Sequence, residues 1–169
     1  MLIDGTDATD RILALLGSSP FLDGVRAVLL DGIAVGGFNL IDLDRLYEGL
    51  QRPIVTITRH APDFAAIRAA LRKYFPRDAA MRWRLVRAHA LFRLPMPEGN
   101  PLRVSAVGCT RAEASAIVRR TTVRGNLPEP LRLARLVARA LVPPAEGAHG
   151  DRTDSRKIKR PAGHARAGL

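Results

Sequence analysis

A chain of 169 residues, 47% hydrophobic and 25% charged, has the proportions of a globular protein, with length for one well-buried core and not for two ordinary domains. No apolar run approaches the roughly 20 residues of a membrane-spanning helix. The opening Met1-Leu2-Ile3-Asp4-Gly5 has no basic stretch leading into an apolar one, and a single cysteine, Cys109, forms no internal disulfide, so a cytoplasmic protein is expected. The formal net charge of +11 and the pI near 11.3 favour a polyanionic partner, DNA or RNA, through counterion release. The competing reading is a set of solvated arginines with no such target.

In chain order, Thr6 is placed to cap a helix in which Ile12, Leu13, Leu15 and Leu16 repeat at helical spacing up to a stop at Gly17. Val25 to Leu30 reads as a short buried strand closed by the turn Asp31-Gly32. Asp42 to Leu50 reads as a helix with Leu43, Leu46, Tyr47 and Leu50 inward. The β-branched run Ile54 to Thr58 is a second strand.

Pro62 opens a helix through Ala65, Ile67 and Leu71, and another covers Ala79 to His89. Pro95, Pro97, Gly99 and Pro101 make a turn-rich loop between two short strands, Leu91 to Leu94 and Leu102 to Val107. Helices follow from Arg111 to about Thr121 and from Pro128-Glu129-Pro130 to about Val142. Strands alternating with helices predict an α/β layer architecture, with a largely parallel sheet and one hairpin.

From Pro143 to Leu169 the composition turns to Pro, Gly, Ala, His and charge, with nothing to bury, so 1–142 is read as the domain and 143–169 as a disordered basic tail. The tail carries six Lys or Arg against three acids, a net of +3 that leaves +8 of the chain's +11 on the part before it. The basicity is therefore not only a tail effect.

Three segments together carry a resemblance. Asp4-Gly5-Thr6-Asp7-Ala8-Thr9, Leu30-Asp31-Gly32-Ile33 with Gly37-Phe38-Asn39-Leu40-Ile41-Asp42, and Leu127-Pro128-Glu129-Pro130-Leu131-Arg132 resemble the domain-of-unknown-function family numbered 99. That family is similar to endonuclease V, a ribonuclease H-like nuclease that uses Mg²⁺ to cut strands near deaminated bases. The resemblance implies a ribonuclease H-like mixed sheet flanked by helices. It also implies strand-end carboxylates that hold Mg²⁺, which activates water and steadies the leaving oxygen. Asp31 matches a metal-binding aspartate; Asp4 and Asp7 are the acidic residues expected near it, with Asp4 and Asp31 as the metal pair. Arg59 stands where the nuclease has a lysine and keeps the charge for a phosphate without the geometry.

The departures are equally specific. The resemblance begins after the nuclease's opening strand, so the first strands, with another aspartate, are expected to lie outside this sequence or to be replaced by a partner chain. Ile3-Asp4-Gly5 reads as the end of such a strand. Arg135 stands where the nuclease has Asp or His, and a cation there repels Mg²⁺. Gly37 replaces a histidine. The function expected is a nucleic-acid-binding domain with an incomplete nuclease site; the alternatives are an Mg²⁺-dependent endonuclease built on Asp4, Asp7 and Asp31, and a non-catalytic interaction protein.

Each candidate also has a structural reading. Asp31 can start a turn; Asp7 and Asp10 suit a helix's first turn; Gly36-Gly37 suits a backbone turn as well as a phosphate; Asn39 and Asp42 suit helix caps. Arg132, Arg135 and Arg139 recur at helical spacing, either as a stripe that tracks phosphates or as a solvated face. Cys109 reads as a packing residue, and His60, His89, His149 and His164 lack metal-ligand spacing.

Overall fold

The elements in chain order are α1 (Ala8–Gly17), β1 (Val28–Leu30), β2 (Ala34–Val35), β3 (Asn39–Leu40), α2 (Leu43–Leu50), β4 (Ile54–Thr58), α3 (Phe64–Tyr74), α4 (Ala79–Arg87), β5 (Phe92–Leu94), β6 (Leu102–Val107), α5 (Arg111–Thr121) and α6 (Glu129–Leu141). The structure, a computed structural model, describes residues 1–141; the basic tail expected from Pro143 lies outside the described residues. Among the described residues no helix is long and apolar enough to cross a membrane.

The expected class is observed: a mixed sheet flanked by helices, in the order β1-β4-β6-β5. The expectation of a largely parallel sheet is corrected. Only β1 and β4 run parallel, joined through α2, whereas β4–β6 and β5–β6 are antiparallel. The Pro/Gly loop between Leu94 and Leu102 folds β5 back on β6, and antiparallel pairing needs no crossover helix. β1 is also shorter than expected. The Val25 N–H closes a 3₁₀ turn onto the Leu22 carbonyl, so pairing to β4 starts only at Val28.

The alternation of β4 divides the core. Val55 and Ile57 pack with Leu94, Leu102, Val104, Ala114, Val118 and Leu131 under α5 and α6. Ile54 points to the other face, where it packs with Ala8, Ile41, Leu43, Leu46 and Leu50 from α1 and α2. Thr56 shares that second face and would be a buried orphan. Its hydroxyl is satisfied at 2.7 Å by that of Ser105, its register partner on β6.

A second hairpin, β2–β3, was not anticipated. Gly36 and Gly37 turn it at φ +54° and +83°, a region glycine enters without steric cost. A Cβ at position 37 would stand 2.1 Å from Asp4 Oδ1. Ile3-Asp4-Gly5 is not the end of a strand: Asp4 sits at φ +57° in a turn, and its N–H bonds to the Gly36 carbonyl at 2.7 Å. Position 37 is therefore small because the opening turn packs against it.

Arg82 of α4 fastens this corner. Its side chain is 5% exposed and its Nε donates to Asp78 Oδ2 at 2.8 Å. Nη1 donates to the carbonyls of Gly5 and Phe38 and Nη2 to that of Asp4, while the guanidinium lies 4.4 Å from the Phe75 ring centre. Leaving a buried acceptor without its donor costs about 1–3 kcal/mol. Arg82→Gln, which strands three carbonyls and Asp78, is expected to lose stability on that scale in urea denaturation.

Candidate functional site

Asp31 follows β1, where the chain keeps running beside β4 through a Gly32 N–H bond to the Ile57 carbonyl at 3.0 Å. Leu29, two residues earlier, packs on the α5–α6 side of the sheet, and strand alternation sends Asp31 to that side too. There it meets Arg135. Nε donates to Asp31 Oδ2 at 2.8 Å and Nη2 donates to the same oxygen. The pairing follows from how α6 is seated. Leu131 is buried in the core, and Arg135, four residues on, projects from the same helix face.

The rest of the expected α6 stripe is only partly free. Arg132 bonds Glu129 through Nε at 2.6 Å, which holds its pKa above the ordinary arginine value. Arg139 is exposed and makes no ion pair among the described residues. Arg59 is likewise exposed and unpaired among them, directly after β4. The adjacent ends of parallel strands β1 and β4 thus carry a neutralised carboxylate and a free guanidinium.

Asp4 and Asp7 are engaged elsewhere. Asp4 Oδ1 accepts from the Phe38 N–H at 2.7 Å. Asp7 accepts from the Leu2 N–H at 3.1 Å, Asn39 Nδ2 at 2.7 Å and Arg11 Nε at 3.1 Å. The Leu2 backbone donor, then Asn39 and Arg11, hold its pKa down to about 2. Thr6 is not the cap of α1. Asp7 occupies that position without a side-chain cap bond, and buried Asn39 supplies the acceptor from across the hairpin, its Oδ1 taking the Ala8 N–H at 3.0 Å. Asp10 pairs with Arg45, and Asp42 caps α2 through the Arg45 N–H.

Among the described residues no three His, Cys, Asp or Glu gather as a metal ligand set. Mg²⁺ requires several oxygen ligands in near-octahedral order, and a guanidinium already sits on Oδ2 of Asp31, where its charge opposes a divalent ion. The residues present do not fit the metal that the resemblance implies.

A cavity of about 120 Å³ opens on the other sheet face, lined among others by Ile33, Phe38, Thr58, Phe64 and His89, with Thr56 and Ser105 at its wall. His89 Nε2 lies 3.1 Å from Asp44 Oδ2, yet off the direction a hydrogen bond requires, and has no hydrogen-bond partner among the described residues. Cys109 packs against the core; burial first, then the nearby Glu113 charge, push its thiol above the ordinary range, which suits packing rather than nucleophilic attack.

Sequence reasoning missed Arg82, whose setting on a polar helix gives no periodic sign of burial, and the role of Asn39 as a cap for a helix 31 residues earlier.

The architecture and the strand-end pair define a mixed α/β domain with its candidate site at the C-terminal ends of β1 and β4. The chain belongs to the endonuclease dU family, whose model, described as "Endonuclease dU", matches residues 1–142. It is 40% identical over 140 residues to a UPF0215 protein of Methanosarcina barkeri, covering 82% of this chain and 71% of that one. A crystal structure of a protein of unknown function from Archaeoglobus fulgidus is similar at TM-score 0.76 and 33% identity, over 84% of this chain and 79% of that one. Human ENDOV is similar at TM-score 0.47 and 16% identity, over 79% of this chain and 61% of its own.

The depressed Asp7 carboxyl has a pH consequence. A group whose folded pKa lies below its unfolded value stabilises above the unfolded pKa and loses that stabilisation as pH falls through the folded one. For Asp7 the window runs from 3.8 down to about 2. Melting temperature against pH is expected to fall less steeply across that window in Asp7→Asn than in the parent.

Proposed function

We propose that this chain is a nucleic-acid-binding domain of the endonuclease dU family, acting in the cytoplasm, in which Arg135 closes the strand-end site at Asp31 instead of leaving it open to Mg²⁺. The observation that carries this reading is the Arg135 guanidinium on Asp31 Oδ2. A cation in that position neutralises the carboxylate and repels a divalent ion. The +11 charge and Arg59 and Arg139, which make no ion pair among the described residues, support a phosphate-bearing ligand.

The word endonuclease in the family description, taken with the resemblance to endonuclease V, favours a second reading: an Mg²⁺-dependent endonuclease acting on damaged or deaminated nucleic acid with Asp31, Asp4 and Asp7. The engagement of Asp4 and Asp7 by the opening turn counts against it. A partner chain also has a place in this proposal. β1 is an edge strand, so the outward N–H and C=O of Leu29 face no strand among the described residues, and an added strand from a partner fits there.

A binding and cleavage panel separates the two readings, using single-stranded DNA, RNA, and duplexes containing deoxyuridine or inosine, with and without Mg²⁺. Salt-sensitive binding without Mg²⁺ and no cleavage on adding it are expected. Mg²⁺-dependent cleavage that disappears in Asp31→Ala would establish the second reading instead. Arg135→Asp places a second carboxylate beside Asp31, and titration calorimetry with Mg²⁺ alone is expected to show binding in that variant that the parent lacks.

A further inference from the structure

The largest unneutralised charge on the described surface is not on α6. From Phe64 to Arg87 the chain carries seven Lys or Arg and one acid, Asp78, which the buried Arg82 already engages. The other six, Arg68, Arg72, Lys73, Arg77, Arg84 and Arg87, are all exposed and make no ion pair among the described residues. Asp63, beside them, caps α3 by accepting the Ala66 N–H at 3.0 Å. The two helices leave these cations to solvent or to an outside anion.

Four side chains form a row across both helices. Arg68 lies 5.5 Å from the Trp83 ring centre, Trp83 meets Phe64 edge to face at 6.3 Å, and Arg87 lies 4.5 Å from the Phe64 ring centre. A guanidinium stacked on a ring is held flat with its N–H edge outward, and that planar fork suits phosphate oxygens. Arg68 and Trp83 also line, with Arg72, a groove of about 340 Å³ along the α3–α4 seam. Phe64 lines the cavity that also takes in Ile33 and Thr58, so the row reaches the neighbourhood of the β1 and β4 strand ends.

We infer that the α3–α4 face is where this protein tracks the phosphate backbone of a nucleic-acid strand, with Arg68, Arg72 and Arg87 as the phosphate ligands. The inference rests on the nucleic-acid reading above and gives it a surface. The composition of the face separates this partner from an anionic membrane. Tyr74 is the only large hydrophobic side chain counted as exposed on these helices, whereas a membrane-seated helix pair presents an apolar side to insert. On α6, by contrast, Arg132 and Arg135 are each taken by an acid.

The test uses the full chain and a fluorescein-labelled oligodeoxythymidine, with anisotropy read across a salt series. The double variant R68Q/R87Q is expected to bind roughly tenfold more weakly, and its slope of log affinity against log salt to be shallower by about 1.4, two contacts at about 0.7 each. R93Q/R124Q, which removes the same charge elsewhere, is expected to behave as the parent. Equal losses in the two double variants, or no loss in R68Q/R87Q, would overturn the assignment of this face while leaving the nucleic-acid reading intact. A parent that binds no oligonucleotide would overturn both, and binding only to phosphatidylserine vesicles would reassign the face to a membrane. If R68Q/R87Q melts early, the single variant R68Q gives the same decision, with a slope shallower by about 0.7.

Discussion

The corner of the molecule in front of the sheet depends on one buried guanidinium. Arg82 reaches from α4 to three carbonyls belonging to segments far from it in sequence, Asp4, Gly5 and Phe38. Placing a charge in the interior costs several kcal/mol unless its donors are satisfied, and here each nitrogen of the fork finds an acceptor. The consequence is geometric. The opening turn is held against the β2–β3 hairpin, Asp4 is held at the Phe38 N–H, and Asn39 is left facing Asp7 on one side and the start of α1 on the other. One cation thus organises the surroundings of Asp4 and Asp7, two of the three aspartates that the resemblance places at a nuclease site.

That division of labour explains why carboxylates near strand ends are insufficient to make a metal site. Mg²⁺ needs several oxygens converging on one point. Asp4 and Asp7 converge on backbone and amide donors, and Asp31 faces a guanidinium seated by the burial of Leu131 one helical turn away. Family membership and local chemistry meet at the same strand end, where Arg135 lies on the carboxylate that the resemblance assigns to Mg²⁺.

The positive charge follows a similar logic. A net charge speaks to association without saying where. Acids absorb Arg11 of α1 and Arg132 and Arg135 of α6, leaving the α3–α4 hairpin as a surface where exposed cations and aromatic rings alternate and the one carboxylate, Asp78, is already held by Arg82.

Much of the secondary structure was legible from periodicity. β4 and β6, α2, and the helix from Arg111 to Thr121 stand where alternation, β-branching and capping residues place them, because each is specified by interactions within a few residues. The Thr110–Glu113 capping box is one such local device. The strand-end position of Asp31 and the helical spacing of Arg132, Arg135 and Arg139 were readable for the same reason. The sequence did not determine how those elements meet. Whether β6 runs parallel or antiparallel to β4, whether Val25 to Ala27 pairs or turns, and which acid each arginine finds are settled by contacts between residues tens of positions apart: Asp31 and Arg135 are separated by 104. Pairings at that distance leave no period in the chain, because they depend on two surfaces that exist only after each element has buried its own apolar face.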